Sequence, residues 1–91
     1  MAGWPPYLRD DAKRVSWCES RWHPDSINGN ARGLFQIWQD MRPRAWGWFW
    51  YFGYDPNTWT DPVKNAEIAL FVYNLDLMRG LHPWAQWECK P

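Results

Sequence analysis

Asn28-Gly29-Asn30-Ala31-Arg32-Gly33-Leu34-Phe35-Gln36-Ile37 is the stretch whose reading decides the fold, taken together with Glu19-Ser20 upstream of it. Residues 25–33 are rich in turn formers, and Asn28-Gly29 is a strong tight-turn dipeptide. Upstream, Leu8, Ala12, Val15, Cys18 and Trp22 recur every three or four positions, which predicts a helix with one buried face. Pro5-Pro6 closes an extended tail, so the helix is expected to begin near Tyr7. Pro24 is expected to end it, because a residue before proline avoids the helical region. Downstream, Leu34–Asp40 reads as a short helix, although Leu34-Phe35-Gln36-Ile37 could begin extended.

Glu19 then falls in the last turn, at the rim of the buried face and between two tryptophans in sequence, Trp17 and Trp22. The negative end of a helix disfavours a carboxylate, and indole surface removes water from it. Both effects raise its pKa, so Glu19 is expected to hold a proton it can donate near neutral pH. Gln36 offers both a donor and an acceptor, which suits an N-acetyl group or a ring hydroxyl.

Further along, Trp46–Tyr54 is an aromatic segment whose two glycines leave its regular structure open. Thr60-Asp61-Pro62 is a clear helix start, with Asp61 as cap and Pro62 at the first position. Val63, Ala66, Leu70, Tyr73 and Leu77 form the next apolar stripe, and Gly80 ends it. The expected fold is mainly α, a small α+β domain of three or four helices with at most a rudimentary hairpin. It spans residues 1–91 as one unit, with residues 1–6 as an extended tail.

At 91 residues, folding hides only about 60% of the unfolded surface. Ten Trp, four Tyr and four Phe compensate, but a globule this small cannot hold them all inside, and exposed aromatic patches mark binding sites. Lys and Arg balance Asp and Glu at zero net charge. Without a basic stripe, no nucleic-acid partner is expected. No run approaches the length of a membrane span, so no membrane partner is expected either. Met1–Pro6 lacks the pattern of a signal peptide. An exported protein of this sequence has lost its signal or reaches its target by another route, as phage enzymes do.

The order Cys18-Glu19-Ser20, then His23-Pro24 with Ala31-Arg32-Gly33-Leu34-Phe35-Gln36-Ile37, then Asp61-Pro62 with Asn65, resembles the lytic transglycosylase and goose-type lysozyme superfamily. The ending Gly80-Leu81-His82-Pro83-Trp84-Ala85-Gln86-Trp87-Glu88-Cys89 is similar to that of the compact resuscitation-promoting factor domains. The resemblance implies a lysozyme-like fold that cuts the peptidoglycan bond between N-acetylmuramic acid and N-acetylglucosamine. Glu19 would be the catalytic acid and 1,6-anhydro ends the product. Ser20 and Gln36 would contact the glycan, and because aromatic rings stack on the apolar faces of sugars, Trp38, Trp84 and Trp87 are candidate walls of the same cleft. The resemblance also implies a Cys18–Cys89 disulfide, an extracellular or cell-wall location, a monomer, and no metal or cofactor. Asn65 is expected to make a structural hydrogen bond. Tyr73, followed by Asn74, falls on the apolar stripe and is expected in the core.

Alternatives stay open at this level. A hydrolytic muramidase would need a second carboxylate, for which Asp25 and Asp40 are the nearest candidates. A non-catalytic cell-wall module could use the tryptophans to bind glycan. The two cysteines could be buried free thiols, or could join His23 and His82 in a zinc site, although their gaps match no common zinc spacing.

Overall fold

A computed structural model of the chain describes residues 3–91; Met1 and Ala2 of the expected tail lie outside the described residues. Three α-helices and a three-stranded antiparallel sheet of very short strands make up a small α+β domain. A 3-10 turn, Pro6–Leu8, leads into α1, Arg9–Ser20. Asp10 and Asp11 sit in the first turn of α1, where the helix dipole favours them. Its buried face is Ala12, Val15, Ser16 and Ser20, whereas Cys18 and Trp22 of the expected stripe are exposed.

Pro24 does not end the helix. Arg21 (φ 54°) and Trp22 (φ 60°) both adopt the left-handed conformation and stop it earlier. Trp22 Nε1 donates to Ser16 Oγ at 3.2 Å and folds the indole back against the helix.

The sheet comprises β1 (Ile27–Asn28), β2 (Ala31–Arg32) and β3 (Ile37–Trp38), in that order. Ile27 pairs with Arg32, Asn28 with Ala31, and Ala31 in turn with Trp38. Gly29 (φ 60°) supplies the left-handed residue of the first two-residue hairpin turn. The short helix expected over Leu34–Asp40 is not formed, and the sheet exceeds a rudimentary hairpin. Gln36 is left-handed at φ 52°, and Asn65 Oδ1 accepts from Phe35 N at 2.8 Å, which turns the chain into β3 instead.

In α2, Trp48–Phe52, the aromatic segment does become helical, with Gly53 (φ 95°) closing it. After a 3-10 turn at Pro56–Thr60, α3 runs from Pro62 to Met78. Asp61 Oδ1 accepts from Val63 N at 2.9 Å and Lys64 N at 3.3 Å, so the expected cap and N1 proline are both present. The buried face of α3 is rotated from the expected stripe: Asn65, Ala66, Ile68, Ala69, Val72, Tyr73 and Asp76 point inward, while Val63 and Leu77 are exposed.

The centre of the core is Trp4. Its ring lies between Phe35 (5.7 Å between centroids) and Trp84 (5.5 Å), with Tyr73 set edge-on, and Nε1 donates to Ala66 O at 3.0 Å. At about 25 cal/mol per Å² an indole buried this completely contributes up to about 4–6 kcal/mol. Trp4, expected in an extended tail, is therefore a core residue. Cys18 and Cys89 are joined in a disulfide, with Cα atoms 6.0 Å apart, tying the C-terminal segment to the end of α1. The free-thiol reading is therefore corrected, and neither sulfur is available to a metal.

Candidate functional site

Along the seam where the end of α1 meets the sheet and the C-terminal segment lies an open cavity of about 190 Å³. Glu19 forms part of its wall, with Gln36 and Trp38 from the sheet region, Trp48 from α2, and Trp87 and Glu88 from the C-terminal segment. The disulfide explains the convergence. Bridging residue 18 to residue 89 brings 88 beside 19, and Cys89 N donates to Glu19 Oε2 at 3.0 Å.

Glu19 is half-buried, and its pKa is raised above the ordinary value of 4.5. Loss of water around the carboxyl is the largest cause, and the like charge of Glu88 adds to it. The Cys89 amide opposes the shift, as do the Glu88 backbone and the charge of Lys90. The direction matches the sequence expectation, but the shielding surface differs. Trp17 and Trp22 pack on each other at 5.0 Å and line a separate surface hollow with Lys13 and Arg14. Trp17 precedes Glu19 by two residues, which turns it to nearly the opposite side of a helix.

Gln36 reaches the cavity from its left-handed turn. Its Nε2 donates to Ser26 O at 3.0 Å and Gly33 O at 2.9 Å, so its carbonyl oxygen is the polar group left for a ligand. Gly33 (φ 76°) shapes the same turn, where a Cβ would collide with the Asn65 amide and the Trp59 carbonyl. Asn65 is fully buried and donates to Arg32 O at 3.0 Å and Trp59 O at 3.3 Å, besides accepting from Phe35 N. Its role is structural, as expected: it fixes the loop that presents Gln36.

The remaining expected contacts divide. Trp38 is exposed and forms a cavity wall. Trp87 closes the floor; its body is buried and Nε1 donates to Phe35 O at 2.8 Å. Trp84 is a correction. Its ring is stacked on Trp4 inside the core and reaches no part of the cavity. Ser20 is another. Its Oγ donates to Leu34 O at 2.7 Å, pinning α1 to the Gly33–Gln36 turn, and it does not face the cavity. Tyr73 packs in the core, as expected.

Asn28, Trp48 and Glu88 were missed. For Glu88 a signal existed, since it adjoins a cysteine whose partner adjoins Glu19. Of the two carboxylates considered as partners for Glu19, Asp25 lies outside the cavity wall. So does Asp40, whose Oδ2 is engaged by Arg42 Nη2 at 2.5 Å. That ion pair holds the Asp40 carboxyl below its ordinary range.

The arrangement is one half-buried carboxyl with a raised pKa, a second carboxylate in the same cavity, and aromatic walls open to solvent. Such a site can deliver a proton to a ligand stacked on the indoles. No protein-family model, no curated protein and no solved structure matches this chain.

Proposed function

We propose that this domain cleaves peptidoglycan glycan strands at the β-1,4 bond between N-acetylmuramic acid and N-acetylglucosamine, with Glu19 as the proton donor. The carrying observation is Glu19 itself: half-buried, shifted toward its protonated form, and set in an aromatic-walled cavity that also presents the Gln36 carbonyl. A ring-shaped, uncharged ligand with apolar faces and amide groups fits that lining.

Protonated Glu19 gives its proton to the bridging oxygen as the C–O bond breaks. The substrate's N-acetyl oxygen assists at the anomeric carbon, one of the exceptions to the two-carboxylate scheme. The Glu19 carboxylate then takes the proton of the muramyl C6 hydroxyl while that oxygen closes on the anomeric carbon, and a 1,6-anhydro end results. One observation favours a second reading, hydrolysis. Glu88 lines the same cavity and could activate water in place of the C6 hydroxyl. A non-catalytic glycan-binding module is the remaining alternative, and the position of Glu19 speaks against it. The Cys18–Cys89 disulfide suits an oxidising, extracellular setting at the cell wall.

Glu19→Gln keeps the shape of the side chain but has no proton to give. It is expected to abolish clearing of purified cell walls, a loss of at least 10²–10⁴-fold, while the protein stays folded and keeps its glycan affinity. Clearing by the variant at the parent rate would refute the assignment. Mass spectrometry of the digest separates the two chemistries, since hydrolysis yields muropeptides heavier by one water than the anhydro form.

A further inference from the structure

The segment between β3 and α3 carries more aromatic surface than the fold uses. Trp46 lies 5.9 Å from Trp38, 5.2 Å from Trp48 and 6.4 Å from Tyr51, measured between ring centroids. Trp38 and Trp48 are cavity walls, so the rings run outward from the cavity without a break. They are also accessible: Trp38 is 44% exposed, Trp46 45% and Tyr51 55%. About half of each ring's surface stays open to solvent, and contiguous apolar patches on small proteins mark contact surfaces.

The backbone beneath them is fixed with buried polar groups. Gln39 is fully buried. Its Oε1 accepts from Trp50 N at 3.0 Å, supplying α2 with an N-terminal partner it otherwise lacks. Its Nε2 donates to Asp40 O at 2.7 Å, with Ala45 O and Trp46 O near at 3.3 and 3.4 Å. Gly47 packs so closely on Gln39 that a Cβ would collide with it. The exposed rings are thus preorganised, which reduces the entropy cost of binding. Charge offers little to an anionic membrane here, because Asp40 neutralises Arg42 and Arg44 is the one other basic residue of the loop, far short of a basic cluster.

We infer that Trp38, Trp46, Trp48 and Tyr51 form a platform that continues the cavity and stacks further sugars of an unbroken glycan strand, so that long strands are bound in preference to short ones. This rests on the glycan reading of the cavity. A cavity of this volume holds only a short piece of a polymer, and the strand leaving it on the Trp38 side meets the Trp46 and Tyr51 rings next.

The test uses the Glu19→Gln protein, so that ligands stay intact, and measures its affinity for N-acetylglucosamine oligosaccharides from dimer to hexamer and its retention on isolated cell walls. Affinity is expected to rise with length. Trp46→Ala and Tyr51→Ala, both at half-exposed positions, are each expected to weaken hexamer binding roughly three- to tenfold and leave the dimer unchanged. Trp17→Ala, in the separate hollow, serves as a control for general tryptophan adhesion and is expected to change neither. Equal losses on dimer and hexamer, or no loss on either, would overturn the platform while leaving cleavage by the parent protein intact. Loss of binding to phosphatidylcholine vesicles with glycan affinity unchanged would assign the rings to a lipid surface and overturn it as well. If the parent neither clears cell walls nor binds any oligosaccharide, the glycan reading fails first, and the platform with it.

Discussion

Removing the Cys18–Cys89 bridge tests the fold and the site together. The cysteines are 71 positions apart. In the chain-entropy account, opening a loop of that length frees about 15 cal/mol/K in the unfolded chain, or about 4.4 kcal/mol at 25 °C. A 91-residue domain unfolds with an entropy of about 190 cal/mol/K. The double variant Cys18→Ala/Cys89→Ala should therefore melt about 20 °C below the parent. The local consequence is separable. Trp84 stays stacked on Trp4 and Trp87 stays bonded to Phe35 O, so the stretch beyond Trp87 is what the bridge chiefly restrains, with only the Cys89 amide on Glu19 and the Lys90 ammonium on the Trp84 and Trp87 carbonyls to help it. That stretch holds the Cys89 amide against Glu19 and places Glu88 in the cavity. Thermal scans of parent and variant give the first readout. Cell-wall clearing well below both midpoints gives the second, and the variant should be slower there although folded. A midpoint drop under about 5 °C would refute the loop-closure reasoning. Undiminished clearing by the folded variant would refute the claim that the tether shapes the site.

Asn65→Ala strips the partner from the buried Phe35 N–H and from two carbonyls. It should cost about 2–4 kcal/mol in urea unfolding, with the midpoint lowered and the slope unchanged. Gly33→Ala demands both a left-handed alanine and a displaced Asn65, so the soluble yield of folded protein should collapse; a melting point within a few degrees of the parent would contradict the tight packing. Because Glu19 is raised, its protonated form survives above the ordinary value, and the cleavage rate should fall as pH rises through the shifted pKa. The folded state holds this proton more tightly than the unfolded chain. The associated stability is thus fully present below pH 4.5 and is lost as pH rises through the shifted value. Glu88→Gln removes a like charge and should move the alkaline limb of the rate profile to lower pH; an upward move would contradict the electrostatics.

Signals that act locally were legible in the sequence. Asp61-Pro62 starts α3 because a cap and a fixed φ need no tertiary help, and the spacing of Leu8, Ala12 and Val15 marks the buried side of α1. What depends on distant partners was not. Leu34–Asp40 has helical composition, yet Asn65, thirty residues away, claims the Phe35 amide and forces a turn. The α3 stripe is rotated because two polar residues, Asn65 and Asp76, occupy the buried face, and an apolar pattern cannot see them. Glu19 was singled out from its neighbours in sequence, but the cavity it lines is walled by β3, α2 and the C-terminal segment. Trp38 and Trp84 read alike in the sequence, each an indole able to stack on a sugar. Only the location of Trp4, which draws Trp84 inward, separates a wall from a core residue.

The stacking of Trp4 on Trp84 also sets the order in which the molecule can assemble. The slot for Trp4 is lined by Phe35, Tyr73 and Trp84, so this indole is housed only when a residue eighty positions later has left the ribosome. The contact of Phe35 with Trp87 and the bridge from Cys18 to Cys89 impose the same delay. Contacts so distant along the chain slow folding, and until they form the nascent chain exposes its tryptophans to solvent and to neighbours. The hydrophobic centre, the pairing of the cysteines and the shielding of Glu19 thus all wait on the same segment, Trp84 to Cys89.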